Sequence, residues 1–344
     1  MNKYFFHLFG LLLFLCVQYV CAKEISVMSF NIQGHGPGSS LHRAGNKDWE
    51  DSIIDIVRQS GADIVLLQEI PLTSPYGNLA NSFANKLTSI TGHTWESADS
   101  ASYSLSSMEL NNAVLYNYEK VCLIEDLAHR IPFYLYQHKT NNIKREYNFI
   151  KNNEQILKFT LKEDSSSDFF YLVNVHLPGP NDNEGQLSKE MREIEKLYAD
   201  YKRNIPMIIG GDFNTRRIDL IRGSNFSDGI IDGNDGQYSD FWGQKTTISS
   251  PNLNVVQLAN DYDHFIINKN YLFEISERMR PVFSKGKAEN FAKIKINNKI
   301  YRNSEEYKEI SDHIPIIIKL DFKNVNDKPT GFFKKIKNLF NRSL

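Results

Sequence analysis

The feature that most constrains this chain is a set of eight short apolar runs rich in β-branched residues, most of which break off at a polar residue. They cover 25–30, 63–68, 113–116, 156–161, 169–175, 206–209, 262–267 and 314–320. Runs of four to eight such residues, bounded by Gly, Asn, Asp or Pro, predict buried strands. Two segments carry a clear helical period. Over 49–59, Trp49, Ile53, Ile56 and Val57 share a face and Gly61 supplies a stop; over 187–201, Leu187, Met191, Ile194, Leu197 and Tyr201 line up opposite Glu and Lys. Strands outnumber helices, which predicts an α/β sandwich of two packed sheets flanked by helices rather than one doubly wound sheet. The Asn-rich stretches 137–154 and 285–308 read as loop insertions, and no internal repeat is present.

The two ends differ from the body. Residues 1–22 hold a single charge, Lys3, then the apolar run 4–17 and a small-residue ending at Ala22, the layout of a signal peptide cleaved after Ala22. The expected mature chain is therefore secreted. Without Lys3, the 40 Lys and Arg become 39 against 41 Asp and Glu, so no whole-protein basic field exists and any nucleic-acid contact must use a local strip. Cys16 and Cys21 leave with the signal, and Cys122 alone allows neither an intrachain disulfide nor a cysteine-rich zinc site. A domain is expected over 23–323, followed by a basic tail at 324–344. There Phe332, Phe333, Ile336, Leu339 and Phe340 would line one side of a short helix, with Lys334, Lys335 and Lys337 towards the other, a segment suited to an anionic membrane or a partner.

Polar residues cluster where the predicted strands begin or end. Met28-Ser-Phe-Asn31 closes the first, Leu66-Leu-Gln-Glu69 the second, and Asn174-Val-His176 another. Gly210-Gly-Asp212-Phe-Asn214 sets an acid and an amide two residues apart, with glycines that permit close backbone approach. Asp261-Tyr-Asp263-His264 and Ser311-Asp312-His313 open the last two strands. A single carboxylate or His at a strand end is ordinarily a solvated or capping group. Together, Glu69, Asp212, Asp263 and Asp312 with Asn31 and Asn214 offer the oxygen donors that a hard cation such as Mg²⁺ takes. His176 and His313 add proton transfer near neutral pH. Phosphodiester cleavage needs this set: a Lewis acid, an activated water and a stabilised leaving oxygen.

In this order and combination, Asn…Gln-Glu…His-x-x-Pro…Gly-Asp-Phe-Asn…Asp…Ser-Asp-His, the chain resembles the endonuclease/exonuclease/phosphatase (DNase I-like) superfamily. The resemblance implies a four-layer α/β sandwich with its active site at one edge of the paired sheets. It also implies roles: Glu69 as principal metal ligand assisted by Asn31 and Asp312, Asp212 as the group that orients or deprotonates water, and Asn214 as a phosphate holder. His313 would contact the scissile phosphate with Asp263 behind it, and His176 would act from the opposite side. Mg²⁺ is the expected ion, with Mn²⁺ or Ca²⁺ as substitutes or structural ions.

Within that superfamily, Ser29-Phe-Asn31-Ile-Gln-Gly34 is similar to the opening motif of cytolethal distending toxin B subunits, with Phe30 in place of a tryptophan. This implies a secreted endonuclease with DNA as substrate and carrier subunits as partners. The rival within the same chemistry is a sphingomyelinase or phosphoinositide phosphatase, and a rival of another class is a non-catalytic binding subunit. Other site types fail on spacing. Gly34-His-Gly-Pro-Gly38 lacks the dinucleotide-loop pattern, and no Walker loop, His-Glu-x-x-His or nucleophile elbow occurs. His35, His42, His93, His129, His138 and His264 read as ordinary surface or core residues.

Overall fold

The computed structural model describes residues 23–33, 43–71, 78–99, 110–126, 133–136, 144–147, 154–162, 169–179, 184–201, 206–216, 226, 229–231, 247, 256–257, 260–268, 273–279, 290–291, 294–296, 299–301 and 304–322. The signal peptide expected at 1–22, the loop at 34–38 and the tail at 324–344 lie outside them.

The first half of the chain forms strands β1 (Lys23–Asn31), β2 (Ile64–Pro71), β3 (Trp95–Asp99), β4 (Leu110–Asn117), β5 (Val121–Asp126), β6 (Phe133–Tyr136), β7 (Lys144–Tyr147), β8 (Gln155–Leu161) and β9 (Phe169–His176), of which β1, β2, β4, β8 and β9 are the apolar runs. The second half of the chain adds β10 (Met207–Asp212), β11 (Gly229–Ile231), β12 (Val256–Gln257), β13 (Asp263–Asn268), β14 (Phe273–Met279), β15 (Asn290–Phe291), β16 (Ile294–Ile296), β17 (Lys299–Tyr301) and β18 (Ile316–Phe322). Two six-stranded sheets dominate, in the orders β14-β18-β1-β2-β4-β3 and β11-β13-β10-β9-β8-β5. Both are mixed: β1 and β2 run parallel, as do β9 and β10, while their outer neighbours are antiparallel.

Three buried clusters define four layers. Helices α1 (Lys47–Ser60) and α2 (Leu79–Thr91) place Trp49, Ile53, Phe83 and Leu87 on Met28, Phe30, Val65 and Leu67 of the first sheet. Helix α3 (Glu184–Tyr201) sets Ile194, Leu197 and Tyr198 on Tyr171, Val173 and Ile209 of the second. Between the sheets, Val27, Ile64, Leu66 and Val114 meet Leu172, Ile208, Phe265 and Ile267. Each strand thus sends alternate residues to the inter-sheet core and to a helical layer, the period of two that a strand imposes.

Helix α1 is capped as its sequence dictates. The Asn46 side chain accepts from the N–H groups of Asp48 and Trp49, and Gly61 ends the helix at φ 64. Helix α2 has the same punctuation, Asn78 before it and Gly92 at φ 74 after it. The expectation of loop insertions at 137–154 and 285–308 is corrected, because the first contains β7 and the second contains β15, β16, β17 and a short helix α4 (Ser304–Lys308) whose Tyr307 is fully buried. That ring anchors the segment leading to Asp312, and its hydroxyl donates to the His313 carbonyl at 3.3 Å.

Candidate active site

Parity along the strands carries the polar residues to one place. Val27, Ser29 and Asn31 share a side of β1; Leu172, Asn174 and His176 share one of β9; Ile208, Gly210 and Asp212 of β10; Ile267, Phe265 and Asp263 of β13. The apolar members of these rows make the inter-sheet core. Their last members continue the same faces to one rim of the sandwich, so the site is the polar end of the core. Cross-strand register fixes it further, with His176 beside Asp212 and Asp212 beside Asp263. Gly210 and Gly211 let β10 lie this deep. A Cβ on Gly210 would sit 2.6 Å from the Phe265 ring, and one on Gly211, at φ 147, would overlap the Val175 carbonyl.

Asp212 is the hub. Its Oδ1 accepts from the Asn214 backbone N–H at 2.8 Å and its Oδ2 from Asn31 Nδ2 at 3.0 Å. His313 Nε2 stands 3.6 Å and His176 Nε2 4.0 Å from the same Oδ2. His176 Nε2 also lies 3.4 Å from Glu69 Oε1, which accepts from Asn31 Nδ2 at 2.9 Å. Behind His313, Asp263 Oδ2 pairs with its Nδ1 at 2.8 Å, and Ser311 Oγ donates to the Asn31 carbonyl at 2.7 Å, tying the Ser311-Asp312-His313 turn to β1. Every residue singled out from the sequence is therefore at this rim. Side-chain exposure grades from 1% at Asp263 and 2% at Asp212 to 22% at His176 and 39% at Asp312, so the site opens on the Asp312 side.

The electrostatics follow from this packing. Burial pushes the Asp212 carboxyl up to about 6, against the pull of His313 and with a further push from Asp263. Burial disfavours charge on His313, but the carboxylates of Asp263 and Asp212 outweigh it and hold the imidazolium well above its ordinary range. Burial likewise raises Asp312; His313 draws it down and the negative charge of Glu69 pushes it up again. Two carboxylates repelling each other at the open side of a site are a seat a cation would neutralise, and their oxygens suit a hard divalent ion. A second grouping lies deeper, where ligand atoms of Asp212, Asp263 and His313 are all within 4.8 Å of one another. There Asp263 and His313 already engage each other, so a cation would have to displace that bond.

Two residues sit otherwise than the sequence reading placed them. Asn31, expected to ligate the metal, points its Nδ2 at both carboxylates and uses its Oδ1 to accept from Gln33 N–H at 2.8 Å. In this orientation the Asn31 amide ties the Glu69 and Asp212 carboxylates together. Asn214 does not continue the face of Asp212, because β10 ends at Asp212 and the chain turns to φ 47 at Asn214, whose Nδ2 donates to the Leu177 carbonyl at 2.7 Å. His264, on the opposite side of β13, is buried with Nε2 3.0 Å from the Thr215 carbonyl and its ring edge-on to Phe213. It is a core residue, and burial lowers its pKa. Sequence reasoning assigned no part to Gln68, Asn112 or Asn174, fully buried amides behind the site. Their signal was a polar residue at an inward position of an otherwise apolar strand.

Residues 28–313 match the endonuclease/exonuclease/phosphatase family, whose enzymes are generally dependent on a divalent metal. No curated protein matches the chain. Among solved structures, TDP2 of D. rerio complexed with a single-strand DNA product is 14% identical at a TM-score of 0.53, covering 87% of this chain and 99% of that one. The catalytic domain of human nocturnin, with bound sulfate, is 15% identical at 0.52, covering 87% and 94%. A mannosyl-6-phosphatase of Bacteroides thetaiotaomicron is 14% identical at 0.53, covering 87% and 100%. At such identities these structures speak for the fold alone, the four-layer α/β sandwich. With the family match running from β1 to the Ser311-Asp312-His313 turn, the chain belongs to the endonuclease/exonuclease/phosphatase family, hydrolases acting on phosphoester bonds.

Proposed function

We propose that this chain is a secreted, Mg²⁺-dependent phosphodiesterase, an endonuclease that cleaves DNA by attack of an activated water on phosphorus. The observation that carries the hydrolytic reading is the convergence of His176 and His313 from two sides on Asp212 Oδ2, with Glu69 within 3.4 Å of His176. The DNA reading draws on the opening motif Ser29-Phe-Asn31-Ile-Gln-Gly34 and on the accommodation of a single-strand DNA product by the D. rerio TDP2 of the same fold. Carrier subunits would be the partners of a toxin component, and the basic tail a contact for an anionic membrane. That tail also supports the rival substrate, a phospholipid headgroup such as that of sphingomyelin.

Glu69 and Asp312 would hold the cation, which when bound supplies Lewis-acid polarisation of a phosphoryl oxygen. Asn31 keeps Glu69 and Asp212 in mutual register. Asp212, whose Oδ2 lies between His176 and His313, takes a proton from the attacking water. His313, kept charged by Asp263, donates a hydrogen bond to the phosphoryl group, and His176 does so from the other side or protonates the leaving oxygen. Asn214 closes the set by fixing Asp212 Oδ1 and lending its remaining amide proton to the phosphate.

Purified mature chain with Mg²⁺ is to be incubated with supercoiled plasmid and, in parallel, with sphingomyelin vesicles. Nicking that EDTA silences supports the proposal. Release of phosphocholine without nicking transfers the chemistry to lipid, and full activity in chelator removes the metal from the mechanism.

A further inference from the structure

Strand parity explains Asn31, His176, Asp212 and Asp263, but it fails for Glu69. In β2, Ile64 and Leu66 face the other sheet while Val65 and Leu67 face the helices. Simple alternation would turn Gln68 inward and send Glu69 to the helical layer, away from the site. One extra residue prevents this. Leu67 pairs with Ala113 and Ile70 with Asn111, so Gln68 and Glu69 together oppose Asn112. At that bulge Glu69 takes φ 60, a left-handed conformation that non-glycine residues rarely adopt.

A bulge disrupts its ladder, and the backbone groups beside it need partners from elsewhere. Here the partner comes from the facing sheet. Asn174 of β9, two residues before His176, donates through Nδ2 to the carbonyls of Leu67 and Ala113, each at 3.1 Å. Its Oδ1 accepts from Gln68 Nε2 at 2.8 Å, and Asn112 Nδ2 returns a bond to the Asn174 carbonyl at 3.1 Å. These amides are fully buried directly beyond an apolar core of Leu66, Val114 and Leu172. Stability alone would continue that core in Leu and Val, since burying amides yields little net gain even when they are bonded.

We propose that Asn174, keyed by Gln68, is a positioning residue that fixes the β2 bulge from the opposite sheet and so holds Glu69 in its cation-binding orientation, joining the Glu69 and His176 sides of the site. The proposal rests on the reading of Glu69 as a cation ligand. Asn174→Leu keeps the volume close and removes both donors. In the full mature chain, Mn²⁺ affinity read by electron paramagnetic resonance should fall about tenfold or more, as for other residues that orient a metal ligand. Turnover of a small soluble phosphodiester should fall with it, while in a Glu69→Gln background Asn174→Leu should add less than about twofold. Gln68→Met preserves shape and leaves the two carbonyl bonds, so it should fold and show a smaller loss in the same direction; it decides the matter if Asn174→Leu does not fold. Wild-type Mn²⁺ affinity and turnover in a folded Asn174→Leu or Gln68→Met, beside an impaired Glu69→Gln, overturns the positioning role. If Glu69→Gln itself binds Mn²⁺ and turns over normally, it is the ligand assignment that falls, and the positioning role with it.

Discussion

Asp212 Oδ2 is the atom around which the site is organised, and its surroundings set the pH behaviour. With its carboxyl pushed up to about 6, Asp212 becomes a base as pH rises through that value, so Mg²⁺-supported turnover should climb there and then level. Asp212→Asn should abolish the climb together with the activity. His313 carries the opposite sign. Its folded pKa lies well above the unfolded value near 6.5, so the folded chain retains a proton that the unfolded chain has released. Stability from this proton is complete below 6.5 and is lost as pH rises through the folded value. In chelator, the melting temperature should fall on going from pH 6.5 to 9, and His313→Gln should lose most of that slope. Replacing His176 or His313 by Ala should each lower kcat by about a hundredfold or more, with the double variant far less impaired than the product of the singles, because both act on one transition state. Independent, multiplying losses would separate the two histidines.

At the scale of single elements, β10 and β13 carry the sharpest constraints. Gly211 faces the Val175 carbonyl at a positive φ, so Gly211→Ala must shift two backbones and should cost about 2–5 kcal/mol in chemical denaturation, combining overpacking with strain. A loss of under about 0.5 kcal/mol would mean that β9 and β10 are less closely apposed than described. His264 lies one residue from Asp263 but on the helix-facing side of β13, bonded to Thr215 and packed on Phe213. His264→Gln should therefore leave kcat within a few fold while lowering the melting temperature, whereas Asp263→Asn should reduce kcat through His313. Indispensability of His264 beside a freely replaceable His313 would refute the facing assigned to this strand.

For the whole molecule, the two sheets act as one frame because the site draws Asn31, Glu69, Asp312 and His313 from the first sheet and its flanks, and His176, Asp212 and Asp263 from the second. Loss of inter-sheet packing would therefore separate the two sets of residues and disable the site. The tail beyond residue 330 interleaves Lys334, Lys335 and Lys337 with Phe332, Phe333, Ile336, Leu339 and Phe340. Deleting residues 331–344 should leave hydrolysis of a small soluble phosphodiester unchanged and weaken binding to anionic vesicles in a salt-dependent way. A melting temperature lower by about 4 °C or more would instead place the segment in the packed domain.

The sequence by itself determined the parts of this protein that local chemistry controls. Short β-branched runs sufficed for β1, β2, β4, β8, β9, β10, β13 and β18, the middle of both sheets, but not for β3, β5, β11 and β14; apolar spacing sufficed for α1, with Gly61 as its stop, and for α3. Helix α2 carried the same punctuation in Asn78 and Gly92 and could have been read from it, whereas β16, β17 and α4 are too short to show a period and take their form from tertiary contacts such as the burial of Ile296 and Tyr307. Residue types and order were enough to single out eight polar residues that the fold brings to one rim, since metal and proton chemistry restricts which side chains qualify. Only the tertiary structure decided how they are used. Asn31 turned out to bridge two carboxylates, Asn214 to leave the strand, and Glu69 to reach the site through a bulge held from the other sheet. Sequence encodes the period of a strand, but a one-residue bulge inverts facing beyond it, and its partners here lie far away along the chain, on the neighbouring strand β4 and across the sandwich on β9, where no local pattern records them.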